Sequence, residues 1–436
     1  MPVWAKERKI KMQPLSEMSQ VDIKNFYEKV KKEYEEICSL GIKIDMSRGK
    51  PNAEQLDLSN GLMTCLDKSV IDKYSYDYRN YGVMEGVPEA RKMLAPLLGV
   101  EVENTLVCGN SSLNIMYDCI IRAMLLGVNK GKTPWCLLPK VKFLCPAPGY
   151  DRHFAICEEF GIEMITVEMT ESGPDMDKVE ALVKNDETIK GIWCVPKYSN
   201  PQGITYSDET VLRLAKMETA ADDFRIFWDN AYCIHDLYEE GDKLLNILDA
   251  CTQAGNEDRP YIFFSTSKIS FAGSGVAAMG ASKNNIDWQK KRMTIQTISY
   301  DKINQLRHVL FYKDYEGLCE HMKKHAEILR PKFETVLSAL DRELAPLGIA
   351  KYPRPRGGYF ISLDVPDGCA KRVVELCKNA GVSLTDAGAT FPYKYDPKDS
   401  NIRVAPSYLD TKDIESACKV LCTSVKLACA EKILQK

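Results

Sequence analysis

The sequence contains no apolar run of the length that crosses a membrane, about 18 residues. Residues 1–6 also lack the apolar core of a signal peptide. An excess of charge of either sign is missing as well, since the net charge is −3 at pH 7. We therefore expect no membrane span, no signal peptide, and neither nucleic acid nor an anionic membrane as a partner.

Cysteine is abundant, with 16 residues, but the spacing of a disulfide framework is absent. The cysteines lie within apolar runs or recur at helical spacing, where cysteine behaves as a small buried hydrophobic residue. We therefore expect free thiols and a reducing, cytoplasmic environment. Examples are Cys108, Cys136, Cys194, Cys418, Cys422 and Cys429.

The composition is that of an ordinary globular protein, with 45% hydrophobic and 27% charged residues. A chain of 436 residues is long enough for two or three domains with a sizeable core. Internal repeats and low-complexity tracts are absent. The bulk properties thus favour a globular enzyme.

Short apolar runs, which are typical of buried strands, alternate with polar stretches of helical period such as 176–183. Strands separated by helices need crossover connections and form a mainly parallel sheet covered on both faces. The pattern predicts an α/β fold with a mainly parallel, seven-stranded sheet. Its expected strands are 105–108, 135–138, 163–167, 191–195, 225–228, 261–264 and 276–280.

The two ends of the chain show a different pattern. We expect a helix at 21–40 and a long charged helix at 315–340, interrupted by Pro331. An antiparallel strand at 357–363 and two further helices should follow. The predicted segments are 1–60 and 321–436, which together form a smaller α+β domain, and 61–320, which forms the large domain.

Lys268 follows the buried run 261–264 and three small hydroxyl residues, in the order Ser-Thr-Ser-Lys. A charged amine is costly to bury at such a place. Proteins accept this cost where the amine must be neutral and nucleophilic, as in a Schiff base. A solvated loop lysine is the alternative for this segment alone, and the neighbouring motifs argue against it.

Polar side chains also follow other expected strands, at the edge where open parallel sheets bind ligands. The carboxylate of Asp229 needs a partner, for which a protonated pyridine nitrogen is suitable. Tyr232 and Asn200 are placed to hydrogen-bond a ring oxygen, although Asn before Pro is also a common turn. The ring of Tyr150 could stack on a flat cofactor. His153 is either a partner behind the aspartate or an ordinary histidine of the core or surface.

Phosphate groups are bound by backbone amides and hydroxyls at the start of a helix. Ser111 and Ser112 offer both, because they follow a Gly-Asn turn after a strand and open a helical stretch. An ordinary helix cap would have the same sequence. Ser265 and Ser267 add hydroxyls near the lysine.

Three other patterns carry less weight. Residues 273–278 match a dinucleotide-binding pattern, but they precede a strand, and Met293 stands where an acidic residue is needed. His321 and His325 lie one helical turn apart without a third ligand, so we expect a solvated helix face and no metal site. The lysines of 29–32 are typical of an exposed helix face.

An Asn, an Asp with a Tyr three residues on, a Lys and a late Arg, in this order, form the constellation of aminotransferases that use pyridoxal phosphate (PLP). Over residues 45–410 the chain resembles the fold-type I PLP enzymes of the class I aminotransferase superfamily. It is most similar to bacterial aspartate aminotransferases of type Ic. The motifs that carry the resemblance are SRGKP (47–51), YRNYG (78–82), GNSSL (109–113), CPAPGYDRHF (145–154), WCVPKYSNP (193–201), FRIFWDNAY (224–232), STSK (265–268) and RPRGGYF (354–360).

The resemblance implies that the large domain binds PLP. Lys268 would hold PLP as an aldimine and then move the proton of the substrate carbon. Asp229 would pair with the pyridine nitrogen. The other implied cofactor contacts are Tyr232 and Asn200 at the ring oxygen, Tyr150 on the ring face, His153 behind the aspartate, Ser111, Ser112, Ser265 and Ser267 at the phosphate, and Tyr81 from the neighbouring subunit.

For the substrate, the resemblance implies a bidentate contact of Arg403 with the α-carboxylate. Gly49 would lie against the substrate in a segment that closes on binding, and Asn200 would also contact the substrate. The implied assembly is a homodimer with shared active sites.

The chain departs from the family at two positions. Val276 stands where the family usually has a phosphate-binding arginine, so Ser267, Ser274 or another cation must compensate. The arginine that binds a distal carboxylate in animal and enterobacterial relatives has no clear counterpart in 294–297. The candidate cations for that role are Arg48, Lys50, Arg79 and Lys302.

The predicted function is transamination from aspartate to 2-oxoglutarate. On the same fold, the alternatives are an aminotransferase for aromatic amino acids or kynurenine, or a PLP β-lyase. A PLP-sensing transcription regulator would need a DNA-binding domain, for which we expect too little chain before the first motif. A nicotinamide-dependent dehydrogenase would lack the near-ultraviolet to violet absorbance of PLP.

Overall fold

The computed structural model of the protein describes residues 13–435. The strands within this range are β1 (Ile44–Asp45), β2 (Thr105–Val107), β3 (Lys142–Ala147), β4 (Glu163–Thr170), β5 (Gly173–Pro174), β6 (Ile189–Cys194), β7 (Arg225–Asp229), β8 (Pro260–Ser265), β9 (Ala277–Ala281), β10 (Ile361–Asp364), β11 (Val382–Ser383) and β12 (Asn401–Val404). The helices are α1 (Gln20–Cys38), α2 (Ala53–Asp57), α3 (Lys68–Ile71), α4 (Pro88–Leu98), α5 (Ser112–Leu126), α6 (Asp151–Glu159), α7 (Met176–Asn185), α8 (Asp208–Lys216), α9 (Ile247–Gln253), α10 (Lys283–Gln296), α11 (Lys302–Tyr312), α12 (Tyr315–Glu343), α13 (Ala370–Asn379) and α14 (Thr411–Leu434).

One sheet contains eight strands in the order β2-β9-β8-β7-β6-β3-β4-β5. The five central strands β4, β3, β6, β7 and β8 are parallel, whereas β9 runs antiparallel to both of its neighbours. The predicted α/β fold with a mainly parallel sheet is confirmed. The sheet has eight strands instead of the predicted seven, because the two-residue strand β5 pairs antiparallel with β4 at one edge.

Helices cover both faces of this sheet, as the sequence predicts. Side chains alternate between the faces along each strand, so Trp228 of β7 packs on one side and Phe227 on the other. The first side is covered by α4, α7, α8 and α9, and the second by α5, α6 and α10. Since β2, β3, β6, β7 and β8 share one direction, the segments that follow them meet at a single edge of the sheet.

A third hydrophobic cluster joins the two ends of the described chain. Val30 of α1 and Val425 of α14 pack with Phe333 of α12 and with the antiparallel pair β10–β12. The helix α12 runs without a break through residue 320, with Leu318 packed beside the large sheet and Phe333 in the third cluster. The domain segments 1–60, 61–320 and 321–436 stay a prediction.

Two expected features are wrong. Residues 135–137 form a 3₁₀ turn instead of a strand, because the buried Trp135 turns its Nε1 to donate to Asp223 Oδ2 at 2.8 Å. The strand of this region is β3, which comes just after the turn. Pro331 does not interrupt α12, since the residues on both sides pack into the third cluster.

Among the helices of residues 13–435, none has the length and apolar character needed to span a membrane.

Candidate active site

A cavity lies at the edge where the parallel strands end. Its wall draws on five separate segments of the chain, and most of it was predicted from the sequence. Leu113, Val195 and Ala231 complete the wall and were not predicted. The predicted residues that line it are Ser111, Ser112, Tyr150, Asn200, Asp229, Tyr232, Ser265, Ser267 and Lys268.

Asp229, at the end of β7, has one satisfied and one unsatisfied carboxylate oxygen. Its Oδ2 accepts a hydrogen bond from Nε2 of the buried His153 at 3.1 Å. Its Oδ1 is buried and has no hydrogen-bond partner within residues 13–435. A buried carboxylate oxygen without a donor is costly, so this position suits a ligand that brings a donor.

His153 lies behind Asp229 and does not line the cavity. Its ring stacks on Trp193, with centroids 4.4 Å apart and planes 9° apart, and meets the edge of Tyr150 at 4.9 Å. These contacts fix the imidazole, which in turn orients the carboxylate.

Two phenols in the cavity wall are hydrogen-bond donors at neutral pH. Burial raises the pKa of Tyr150 to about 12. Burial, with a further contribution from the charge of Asp229, raises the pKa of Tyr232 even more. Both hydroxyls therefore stay protonated, as donation to a ring oxygen requires.

Lys268 ends the 3₁₀ turn Thr266–Lys268 that follows β8. Its side chain is half-buried, and its Nζ lies 4.9 Å from the ring centroid of Tyr232 and 5.9 Å from that of Tyr359. The lysine therefore lies in the cavity wall between two tyrosines.

Another part of the cavity wall can hold an anion. Ser111 is the N-cap residue of α5, but its hydroxyl makes no capping hydrogen bond, so it differs from an ordinary cap. The first amides of α5 lack intrahelical acceptors and attract negative charge. Ser265 Oγ donates to Ser267 Oγ at 3.0 Å, and Ser267 Oγ donates to the Asn110 carbonyl at 3.2 Å.

The departure at Val276 is also visible in the structure. Val276 is buried, and its amide donates to Thr266 Oγ1 at 2.9 Å. Among the described residues that line the cavity, Lys268 is the only lysine or arginine. Hydroxyls and helix amides therefore dominate the anion-binding part of the wall.

These features fit PLP. The unpaired Asp229 Oδ1 matches a protonated pyridine nitrogen, the uncapped end of α5 matches a phosphate, and the amine of Lys268 lies on the same cavity wall. Donors for a ring oxygen are present in Tyr232 and Asn200.

Arg403, on β12, lies next to this cavity and is mostly buried. Its Nη1 donates to Asp151 Oδ1 at 3.2 Å and to Asn200 Oδ1 at 3.5 Å, and its Nη2 donates to Thr385 Oγ1 at 3.2 Å. Its Nε is buried without a partner in the described chain. The guanidinium thus already has one anion, and it retains a free donor.

Gly49 and Tyr81 lie outside the cavity wall. A Cβ at Gly49 would come within 2.1 Å of the Phe360 ring, so this close approach requires glycine. The guanidinium carbon of Arg403 lies 4.9 Å from the centroid of the same ring, so Phe360 lies between Gly49 and Arg403. Tyr81 is 71% exposed, and its ring is no part of the cavity wall.

The candidate cations for a distal carboxylate differ in their surroundings. Arg48 pairs with Asp45 at 2.9 Å and Arg79 with Asp77 at 2.7 Å, and both arginines are exposed. The Nζ of Lys50 lies 4.1 Å from the ring centroid of Tyr408. Burial lowers the pKa of Lys302, the first residue of α11.

The expectation that His321 and His325 form a solvated helix face is wrong. They are 6% and 0% exposed, and their Nε2 atoms lie 3.1 Å apart. The sequence held a signal for this, because both histidines fall on the apolar stripe of α12 with Leu318, Met322 and Leu329. Sequence analysis also missed three buried polar residues near the lysine, which are Gln55, His235 and Tyr359.

His235 is a buried, neutral histidine in the loop after β7. Burial, assisted by the charge of Lys268, lowers its pKa well below the ordinary value. Neither ring nitrogen has a hydrogen-bond partner within the described residues. Its ring meets the edges of Tyr232 at 5.4 Å and Tyr359 at 5.7 Å, so it packs behind the two tyrosines that flank the lysine.

Comparison with known proteins identifies aminotransferases that are similar to this chain. The aspartate aminotransferase of Corynebacterium glutamicum is 46% identical over 407 residues, which cover 93% of this chain and 94% of that protein. The crystal structure of an aspartate transaminase from the same species matches with a TM-score of 0.94 and 44% identity, covering 97% of this chain and 99% of that one. LysN, the α-aminoadipate aminotransferase of Thermus thermophilus, complexed with N-(5'-phosphopyridoxyl)-L-leucine, shares the fold with a TM-score of 0.72 and 21% identity over 89% of this chain and 93% of that one.

The family model for aspartate aminotransferases matches residues 18–436, nearly the whole chain. Together with the relatives above, this match assigns both the fold and the reaction class. The chain is an aminotransferase and belongs to the aspartate aminotransferase family.

Proposed function

We propose that this aminotransferase uses PLP to move the amino group of aspartate to 2-oxoglutarate. PLP, when bound, supplies an electron sink that weakens the bonds of the substrate α-carbon. The observation that carries the proposal is the unpaired, buried Oδ1 of Asp229, in a cavity that Lys268 also lines.

The residues of the cavity divide the remaining tasks. Asp229, oriented by His153, keeps a negative charge opposite the pyridine nitrogen. Tyr232 and Asn200 donate to the ring oxygen. The amine of Lys268 takes the proton from the substrate α-carbon and would then deliver it to the cofactor carbon on the other side of the amino nitrogen.

The phosphate is held by the serines and the first amides of α5. Ser111, Ser112, Ser265 and Ser267 provide hydroxyls, which replace the positive charge missing at Val276. Helix amides stabilise an anion by their dipoles.

Aspartate and 2-oxoglutarate are dicarboxylates, so the site needs two anchors. Arg403 suits the α-carboxylate, which all amino acids share, because its Nε is buried and free of a partner in the described chain. Lys50 and Lys302 are the better of the proposed distal anchors. Arg48 and Arg79 already pair with aspartates.

We further propose a cytoplasmic homodimer with shared active sites and the domain segments 1–60, 61–320 and 321–436. The exposed ring of Tyr81 supports a dimer, because an aromatic side chain outside its own cavity suits contact with a partner's site. Two-fold symmetric dimers are the commonest oligomers.

A panel of amino donors against 2-oxoglutarate tests the substrate. Purified enzyme should absorb in the near-ultraviolet to violet and should have its highest kcat/KM with aspartate. Phenylalanine, tyrosine and kynurenine should react more slowly, and β-elimination products should be absent. A higher kcat/KM with an aromatic donor would show that the enzyme is an aminotransferase for aromatic amino acids instead.

A further inference from the structure

Below the cavity, buried hydrogen bonds lead from the backbone of Asn52 to the backbone of Lys268. The carbonyl of Lys268 accepts a hydrogen bond from the hydroxyl of Tyr359 at 3.2 Å. That hydroxyl accepts a hydrogen bond from Gln55 Nε2 at 2.8 Å, and the same nitrogen lies 3.1 Å from His325 Nδ1. Tyr359 is 1% exposed, and Gln55 and His325 are 0% exposed.

The two backbone ends fix the direction of every proton along this path. The amide N–H of Asn52 can only donate, so the oxygen of Gln55 must face it, as it does at 3.3 Å. The NH₂ group of Gln55 therefore points to Tyr359 and His325. The phenol must then give its own proton to the Lys268 carbonyl, which can only accept.

This arrangement also determines the protonation of the histidine. Burial lowers the pKa of His325 to about 3, so the ring is neutral. Because its Nδ1 accepts from Gln55, its proton sits on Nε2, which lies 3.1 Å from His321 Nε2. From Asn52 to Lys268, and at His325 Nδ1, each donor is thus matched with an acceptor.

The ring of Tyr359 completes the contact with the lysine. It packs beside Tyr232 with ring centroids 6.1 Å apart, and the Nζ of Lys268 lies 5.9 Å from its centroid. The hydroxyl of Tyr359 therefore contacts the backbone carbonyl of Lys268, and its ring lies near the amine of the same lysine.

The next residue connects the same segment to the substrate anchor. Phe360 lies against Gly49 on one side and 4.9 Å from the Arg403 guanidinium on the other. Gln55 follows Gly49 by six residues and holds Tyr359. The residues around α2 thus contact both the lysine side and the arginine side of the cavity.

We infer that Tyr359 is a positioning residue for Lys268, and that Gln55 fixes the Tyr359 hydroxyl in the orientation that holds the Lys268 backbone. The inference rests on the proposed role of Lys268. Loss of the hydroxyl leaves the 3₁₀ turn free to shift, so the amine spends less time at the substrate carbon. Substrate binding through Arg403 is not changed.

The test is the variant Tyr359→Phe, which removes the hydroxyl and keeps the ring. We expect kcat of the holoenzyme to fall about three- to tenfold, the range of one neutral hydrogen bond, with KM for the amino donor within about twofold. Hydrogen exchange of the holoenzyme should accelerate in a peptide that covers Ile269 and Ser270, whose amides bond to the Thr266 carbonyl in the same turn.

Tyr261→Phe is the matched control. Tyr261 is 1% exposed, like Tyr359, and its hydroxyl donates to the backbone carbonyl of Val128 at 3.4 Å, at the opposite end of β8 from the lysine turn. It should lose stability without a change in kcat or in exchange of the lysine turn. If Tyr359→Phe behaves like Tyr261→Phe, or if kcat falls equally in both, Tyr359 is a structural residue and the inference is wrong.

A double variant tests the role of Gln55. If Gln55 acts through the phenol, Gln55→Met should lower kcat in the parent enzyme and add less than about twofold in the Tyr359→Phe background. Additive effects would overturn the assignment to Gln55. Failure of the proposed Lys268 role gives a different result, because Lys268→Ala would then keep the absorbance and turnover of the parent enzyme.

Discussion

His153 Nε2 donates to Oδ2 of Asp229 at 3.1 Å, while the other oxygen of that buried carboxylate has no donor within residues 13–435. One oxygen thus fixes the side chain, and the other faces the cavity. A carboxylate in this state is costly for the protein alone. The cost is offset when a ligand supplies a proton donor, which is the reason to place a pyridine nitrogen there.

Replacing Asp229 by Asn tests this relationship. The variant keeps the shape but removes the charge, and we expect cofactor affinity and kcat/KM to fall by about 3–5 kcal/mol, roughly two to four orders of magnitude. Absorbance titration with PLP and steady-state kinetics measure both. Asp223→Asn is the control, because Asp223 is a buried carboxylate paired with Lys190 at 2.7 Å. It should lose stability but retain kcat, and equal kinetic losses in the two variants would remove the special role of Asp229.

Lys268→Ala should abolish the near-ultraviolet to violet absorbance and lower turnover by several orders of magnitude. Covalent attachment of the cofactor and transfer of the substrate proton are both lost. Spectra and single-turnover rates give the measurement. A variant that retained most of the parent activity would end the assignment of this lysine.

Much of this site was predictable because its residues follow strand ends. The edge of a parallel sheet collects such residues whatever the lengths of the connections, so Asp229 and Lys268 could be placed together from the sequence. The resemblance to the family extended this prediction to Arg403. Its partner Asp151 was not predicted, because that contact joins residues 252 positions apart.

The buried polar residues below the lysine were not predictable in the same way. His321 and His325 fall on the apolar stripe of α12, which indicates burial, but their hydrogen-bond partners depend on how α12 packs against the Lys268 turn and α2. Gln55 reads as one polar residue of a short helix, and its contact with Tyr359 spans 304 positions. Local patterns carry no information on such pairings. The strand β3 was misplaced for a local reason, since the apolar run 135–138 lies just before it in the sequence.

Subunit mixing tests the shared active site. A Lys268→Ala chain and a Tyr81→Phe chain each form defective homodimers under the proposal. In a hybrid dimer, one site carries both changes and the other carries neither, so activity should recover in proportion to the hybrid formed. Light scattering should show a dimer at the assay concentration. No recovery in proven hybrids, or full activity of a monomer, would contradict the shared site.

The buried histidines predict a pH dependence of stability. Burial lowers the pKa of His308 and His321 to about 4 and of His325 to about 3, whereas an unfolded histidine titrates near 6.5. Between these values the unfolded chain binds more protons, so the free energy of unfolding falls as the pH drops from about 6.5 to about 4. Each histidine contributes up to about 1.4 kcal/mol per pH unit in this window.

Denaturant midpoints at several pH values from 7.5 to 4.5 measure this effect. His325→Gln removes one titrating group and should reduce the slope. Aspartates with lowered pKa, such as Asp186 at about 2, lose their contribution mainly below pH 4 and do not explain a slope near pH 5.5. A midpoint independent of pH in this window would show that the histidines are not buried as neutral groups.

Arg403→Lys tests the α-carboxylate anchor. Arg403 is held by Asp151, Asn200 and Thr385, and its buried Nε has no partner in the described chain. A lysine keeps the charge but cannot bind a carboxylate through two parallel N–H groups. We expect kcat/KM to fall by about 2–5 kcal/mol for every amino donor, because all of them carry the α-carboxylate.

A distal anchor behaves differently, which provides the control. Lys50→Met or Lys302→Met should lower kcat/KM for aspartate and spare alanine and phenylalanine, whose side chains carry no charge. The same donors should be measured with Arg403→Lys under identical conditions. If Arg403→Lys lowered kcat/KM for aspartate alone and left kcat/KM for alanine and phenylalanine unchanged, Arg403 would bind the distal carboxylate. The α-carboxylate would then have to bind elsewhere in the cavity.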